Sequence, residues 1–183
     1  MCKIWDIELR KEEIVEDNMG NKYVRGDIYS GDECIGYYNP VEQVGDGMPM
    51  LFVKLKDERI REKYSDYKSI YDYPGMEKYV DDVNVVPRGL NVLLEDLGRL
   101  VMLEKRMNDV YDGAVRVIGI INDNVMQVIP FTKEPVGEDG SPMSKEELVD
   151  FIEGKMGKCY DSNYPVLVFE HEDDFVFKKG LGV

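Results

Sequence analysis

Histidine is almost missing from this chain: His171 is the only one in 183 residues. Cysteine is scarce, with Cys2, Cys34 and Cys159 widely spaced and no CxxC pair. A zinc site needs several Cys or His ligands converging in space, so this inventory argues against one. Acids beside His171 suit a hard cation chemically, but Asp-rich turns are ordinarily solvated, and no metal is expected. An odd number of separated thiols also argues against a disulfide scaffold and fits a reducing compartment. No Walker loop, GxGxxG fingerprint, HExxH helix or serine nucleophile elbow is present. No apolar run approaches the roughly 18 residues of a membrane helix, and residues 1–6 lack the apolar core of a signal peptide. These absences lead to the expectation of a cytoplasmic protein with no membrane partner.

Positive charge is also in short supply. Lys and Arg number 23 against 37 Asp and Glu, for a formal net charge of −14. Such a field repels nucleic acid and anionic lipid and attracts basic surfaces. The nearest approach to a basic patch, Lys105-Arg106, is flanked by Glu104 and Asp109, so direct nucleic-acid binding is not expected. Hydrophobic residues still make up 43%, enough for a core and too many for a disordered chain. With no internal repeat, linker or low-complexity tract, residues 1–183 read as a single domain.

Alternating or β-branched runs predict strands over residues 2–9, 22–29, 33–39, 50–56, 79–86, 114–121, 125–131, 165–170 and 175–178. Ser30-Gly31-Asp32 and Asn122-Asp123-Asn124 mark hairpin turns. The polar stretch 11–21 closes on Asn18-Met19-Gly20-Asn21, a turn signal, and Gly45-Asp46-Gly47 marks a loop. Leu90, Leu93, Leu94, Leu97, Leu100, Val101 and Met107 recur at helical spacing over 90–109. A capping box at 144–147 opens a helix carrying Leu148, Phe151, Ile152 and Met156 on one face. Ile60, Tyr64, Tyr67, Ile70 and Tyr71 predict an amphipathic helix with an aromatic stripe over 57–72. The sum is an α+β (mixed α/β) fold: a central, largely antiparallel sheet with about three helices.

The segment Val85-Val86-Pro87-Arg88-Gly89, a strand end running into the 90–109 helix, resembles the core of the GNAT acetyltransferase family. In that family a strand ending in V-x-P precedes a glycine-rich turn whose backbone N–H groups hold the pyrophosphate of acetyl-CoA at a helix N-terminus. The resemblance covers residues 22–179 as topology and Val85 to Gly89 as motif. It implies Arg88 and Gly89 as cofactor-binding residues and acetyl-CoA as cofactor. Leu90, Asn91, Val92 and Leu93 stand where the family has small residues, a departure that hinders close backbone approach to a phosphate. Cys2, exposed as an N-terminal nucleophile if Met1 is removed, resembles the Met-Cys start of some amidotransferases; Lys3 replaces their glycine, and a buried strand cysteine is the favoured reading.

The leading expectation is a binding protein without cofactor. Tyrosines interleaved with acids suit a basic protein surface, since Tyr offers rigid contact area with a polar tip. Asp66, Tyr67, Tyr71, Asp72, Asp81 and Asp82 form one candidate partner-binding face, and Glu170, Glu172, Asp173 and Asp174 a second. In size, acidity and lack of catalytic motifs the chain resembles phage and mobile-element proteins that inhibit restriction or CRISPR nucleases. The expected partner is therefore a basic nucleic-acid-binding protein such as a nuclease. The aromatic stripe would also suit a homodimer.

Overall fold

The computed structural model describes residues 2–44, 48–69, 89–110, 113–122, 125–156 and 166–179. Its fold is α+β, with two sheets sharing one long helix. The first sheet contains β1 (Lys3–Ile4), β2 (Ile7–Glu16), β3 (Lys22–Ser30), β4 (Glu33–Val44), β5 (Met48–Leu55) and β9 (Val176–Phe177), in the order β5-β4-β3-β2-β1-β9. All neighbours are antiparallel except β1 and β9, which run parallel. The second sheet, order β7-β6-β8, is antiparallel and contains β6 (Arg116–Asn122), β7 (Val125–Phe131) and β8 (Leu167–Phe169). The helices are α1 (Ile60–Lys63), α2 (Leu90–Asn108) and α3 (Lys145–Met156). Among the described residues, no helix is long and apolar enough to cross a membrane.

The leucine periodicity of α2 explains its position. Leu93, Leu94, Leu97, Leu100 and Leu103 are fully buried in one core with Ile4, Ile7, Leu9 and Ile28 of the first sheet and Ile121 of the second. On β6 the faces separate by period two. Ile118 and Ile120 form a smaller core with Leu148 and Ile152 of α3, whereas Gly119 faces Leu103 and Met107 of α2. Covered on both sides, β6 reads as an unbroken apolar run. Ser144 caps α3 as its sequence predicts: its hydroxyl accepts from Glu147 N–H at 3.2 Å, and Glu147 accepts from Ser144 N–H at 2.7 Å.

Three expectations need correction. The predicted first strand is broken by a two-residue turn, Trp5-Asp6, because Ile4 and Ile7 face each other across the β1–β2 pair. The polar stretch after residue 10 is strand up to Glu16, held by the β3 ladder and by cross-strand pairs Lys11–Asp27 and Arg25–Glu13 at 2.9 and 2.6 Å; opposite charges replace apolar alternation there. Within 57–69 the predicted helix shrinks to Ile60–Lys63, since Tyr64 and Tyr67 turn inward and the Tyr67 carbonyl accepts from Gly89 N–H at 2.9 Å; residues 70–72 of that prediction lie outside the described residues. The final two strands form near where they are predicted, in different sheets, β8 pairing β6 and β9 pairing β1. The strand expected at 79–86 lies outside the described residues.

Close packing of β4 on β5 gives a direct test. A Cβ at Gly36 would stand 2.4 Å from the Lys54 carbonyl oxygen, so Gly36→Ala should destabilise the protein by about 1–3 kcal/mol in urea unfolding. Gly154 in α3 has nothing within 4 Å of an added Cβ, so Gly154→Ala should instead stabilise by up to about 1 kcal/mol through helix propensity.

Candidate functional site

Two-residue hairpin turns commonly require a left-handed backbone at their first position, where Gly or Asn is usual. Here that residue is Trp5, at φ 56°. Such a conformation costs a non-glycine residue about 1–2 kcal/mol and persists only where the surroundings hold it. Trp5 N–H donates to the Phe177 carbonyl at 2.6 Å. Its ring stacks on Tyr64 (centroids 6.1 Å apart) and meets Tyr67 edge-on (5.2 Å).

Both tyrosines are themselves anchored. The Tyr67 hydroxyl donates to buried Asp96 on α2 at 2.7 Å, and Ser69 Oγ donates to the other Asp96 oxygen at 3.0 Å. The Tyr64 hydroxyl donates to Asp6 at 3.1 Å, where Ser30 Oγ and Lys63 Nζ also donate, at 2.6 and 2.5 Å. Desolvation alone would push the Asp6 carboxyl up, but the bonds from Lys63 and Ser30 outweigh it and hold Asp6 below the usual carboxylate range.

The outer face of this aromatic stack receives a cation. The Lys179 ammonium lies 4.4 Å from the Trp5 ring centroid and 3.3 Å from Asp66 Oδ2. Lys179 and Asp66 are both more than half exposed, at 58% and 63% of their side-chain surface. The result is a seat for an ammonium: a ring face for cation–π attraction, a carboxylate beside it, and open solvent in front.

The structure redistributes the predicted partner-binding residues. Asp66 is exposed and belongs to this seat, while Tyr67 is 2% exposed and supports Trp5 from below, so it offers no contact surface. Tyr64 is equally buried, and the aromatic stripe invoked for a homodimer is, at these two positions, turned inward. Tyr71, Asp72, Asp81 and Asp82 lie outside the described residues. In the second predicted face, Glu170 accepts from Arg116 at 2.6 and 3.1 Å, which lowers its pKa. Asp174 accepts from Lys145 at 2.5 Å and from the N–H groups of Glu170 and His171 at 2.7 and 2.9 Å. Desolvation acts against these bonds, yet the Asp174 pKa is still lowered. Glu172 and Asp173 alone of the four are exposed. His171 and Asp174 cap the 3-10 turn Glu172–Phe175 reciprocally, and no group of three potential metal ligands occurs among the described residues.

At the start of α2, Gly89 takes φ 94°, but its N–H is given to Tyr67 and the Leu90 and Leu93 side chains are buried. Arg88 lies outside the described residues. Cys2 is buried, donates its thiol to Glu104 at 3.3 Å, and has its pKa driven far up by desolvation and that carboxylate, the reverse of an activated nucleophile. Sequence reasoning missed Trp5 and Lys179. The available signal was the odd spacing of Ile4 and Ile7, which breaks strand alternation at the chain's only tryptophan.

Asp6, Glu170 and Asp174 all have lowered pKa values. Each therefore contributes stability that is complete above its unfolded value, about 3.9 for Asp and 4.3 for Glu, and lost as pH falls through the folded value. Asp6→Asn should lower the melting temperature at pH 7, and the difference from wild type should fade as the pH falls below the unfolded value of about 3.9. Comparison of the chain with protein-family models, with curated proteins and with solved structures returns no match.

Proposed function

We propose that the protein is an acidic binding protein, an inhibitor or decoy that engages the basic surface of a nucleic-acid-handling protein such as a nuclease. The observation that carries this reading is the seat at Trp5 and Asp66, which already receives one lysine, Lys179, from the chain itself. A lysine from a basic partner offers the same ammonium to the same ring and carboxylate. The net charge of −14 supplies the long-range attraction that brings such a surface in. Exposed Glu172 and Asp173 add carboxylates at the protein surface. Trp and charged partners are the residue types that dominate interface energetics. A decoy of this kind occupies side chains that would otherwise hold phosphates.

Capture from a nuclease-treated host lysate tests the proposal. A basic nucleic-acid-binding protein should be retained at low salt and released at high salt, because exposed charge pairs are screened over about 8–10 Å at moderate ionic strength. With the captured partner purified, Trp5→Ala should weaken binding by about 30-fold, the scale of an interface hot spot. Lys179→Ala, which removes the internal competitor, should tighten it by about twofold or more. Retention unchanged by salt and by Trp5→Ala would overturn the reading. Acetyl-CoA provides the opposing arm: a rise in melting temperature at millimolar cofactor would shift the assignment to the acetyltransferase alternative at Arg88 and Gly89.

A further inference from the structure

A second feature shares no residue with the Trp5 seat. Between the β3–β4 face and α2 lies a cleft of about 320 Å³, at the small end of the roughly 300–1,000 Å³ typical of ligand pockets. Its inner surface is apolar, with buried Val24 and Met102, and Gly98 of α2 lies beside the Tyr38 ring. A Cβ at Gly98 would stand 3.6 Å from Tyr38 Cε1 and 3.7 Å from its hydroxyl. Tyr38 is 2% exposed, and among the described residues its hydroxyl has no hydrogen-bond partner. Buried polar groups are nearly always paired, and an orphaned one is costly to the fold. Burial, with the nearby carboxylates of Glu95 and Asp96, raises the hydroxyl's pKa. It is therefore a neutral group that can both donate and accept.

The lining also carries both signs of charge. Lys22 is exposed on β3, and Glu95 is exposed one helical turn from Arg99 on α2. Loss of hydration raises the Glu95 pKa, opposed by the charge of Arg99. The arrangement is a small apolar cavity with one orphaned neutral hydroxyl inside and an anion and two cations among its lining residues.

We propose that this cleft binds a small zwitterion of the α-amino-acid class whose apolar side chain ends in a polar atom. The ammonium would meet Glu95, the carboxylate would meet Lys22 and Arg99, and the polar tip would pair with the Tyr38 hydroxyl. A purely apolar guest leaves Tyr38 orphaned, and a guest with one charge engages only one of the two signs that the lining presents, Glu95 or Lys22. The reading is independent of the basic-partner proposal, and the two fail separately.

Titration of the full chain with L-tyrosine, followed by amide chemical shifts of residues lining the cleft, tests it. Saturable shifts at Val24, Tyr38 and Gly98 are expected. Tyramine, desamino-tyrosine and L-phenylalanine, each lacking one of the three groups, should bind about tenfold or more weakly. Tyr38→Phe should erase the preference for tyrosine over phenylalanine. It should also raise the melting temperature of the unliganded protein by about 2–4 °C, since it removes an unpaired buried hydroxyl. No saturable shift with any of the four probes, equal binding of all four, or an unchanged tyrosine preference in Tyr38→Phe would each overturn the proposal.

Discussion

Everything placed in this fold is placed relative to α2, a nineteen-residue helix that packs against two sheets at once. Leu93, Leu94, Leu97, Leu100 and Leu103 have no exposed surface, and their core includes residues of both sheets. Removing one of these leucines would open a cavity between layers, and core truncations of that kind cost about 2–5 kcal/mol. The same helix contributes the polar fixtures. Asp96 holds Tyr67, which supports Trp5, and Gly98 lies beside Tyr38. Two chemically different surface features thus border on residues of a single turn of one helix.

Charge is arranged in two ways. Some carboxylates are consumed inside the fold: Glu170 by Arg116, Asp174 by Lys145, Asp6 by Lys63 and Tyr64. These tie the small sheet to α3 and the first turn to the segment that follows β5. The acids as a whole cannot all be neutralised, because they outnumber bases by 14. Surface pairs contribute little stability individually, so this excess matters for association more than for the fold. In the proposed binding role, the Trp5 seat would add a local, oriented contact to that diffuse attraction.

Much of the fold was legible in the sequence because it rests on local periodicity. The α2 stripe, the β6–β7 hairpin and the Ser144 cap all lie where residue spacing put them. Failures occur where partners are remote along the chain. Strand β2 beyond Arg10 is stabilised by charges on β3, not by its own pattern. Tyr64 and Tyr67 resemble an exposed stripe until Asp6 and Asp96 are brought to their hydroxyls. The Glu170–Asp174 cluster looks uniformly acidic in sequence; Arg116 and Lys145 arrive from other elements and leave Glu172 and Asp173 exposed. The seat itself joins Trp5, Asp66 and Lys179, three positions that no short window contains.

Because Trp5 is the only tryptophan, its fluorescence reports on the seat without labelling. The most direct measurement is Trp5 emission during titration with the basic partner at low salt, repeated at high salt. The account predicts a saturable change in emission that follows binding and is abolished by salt. Full partner binding with Trp5 emission unchanged would place the contact elsewhere and contradict the account.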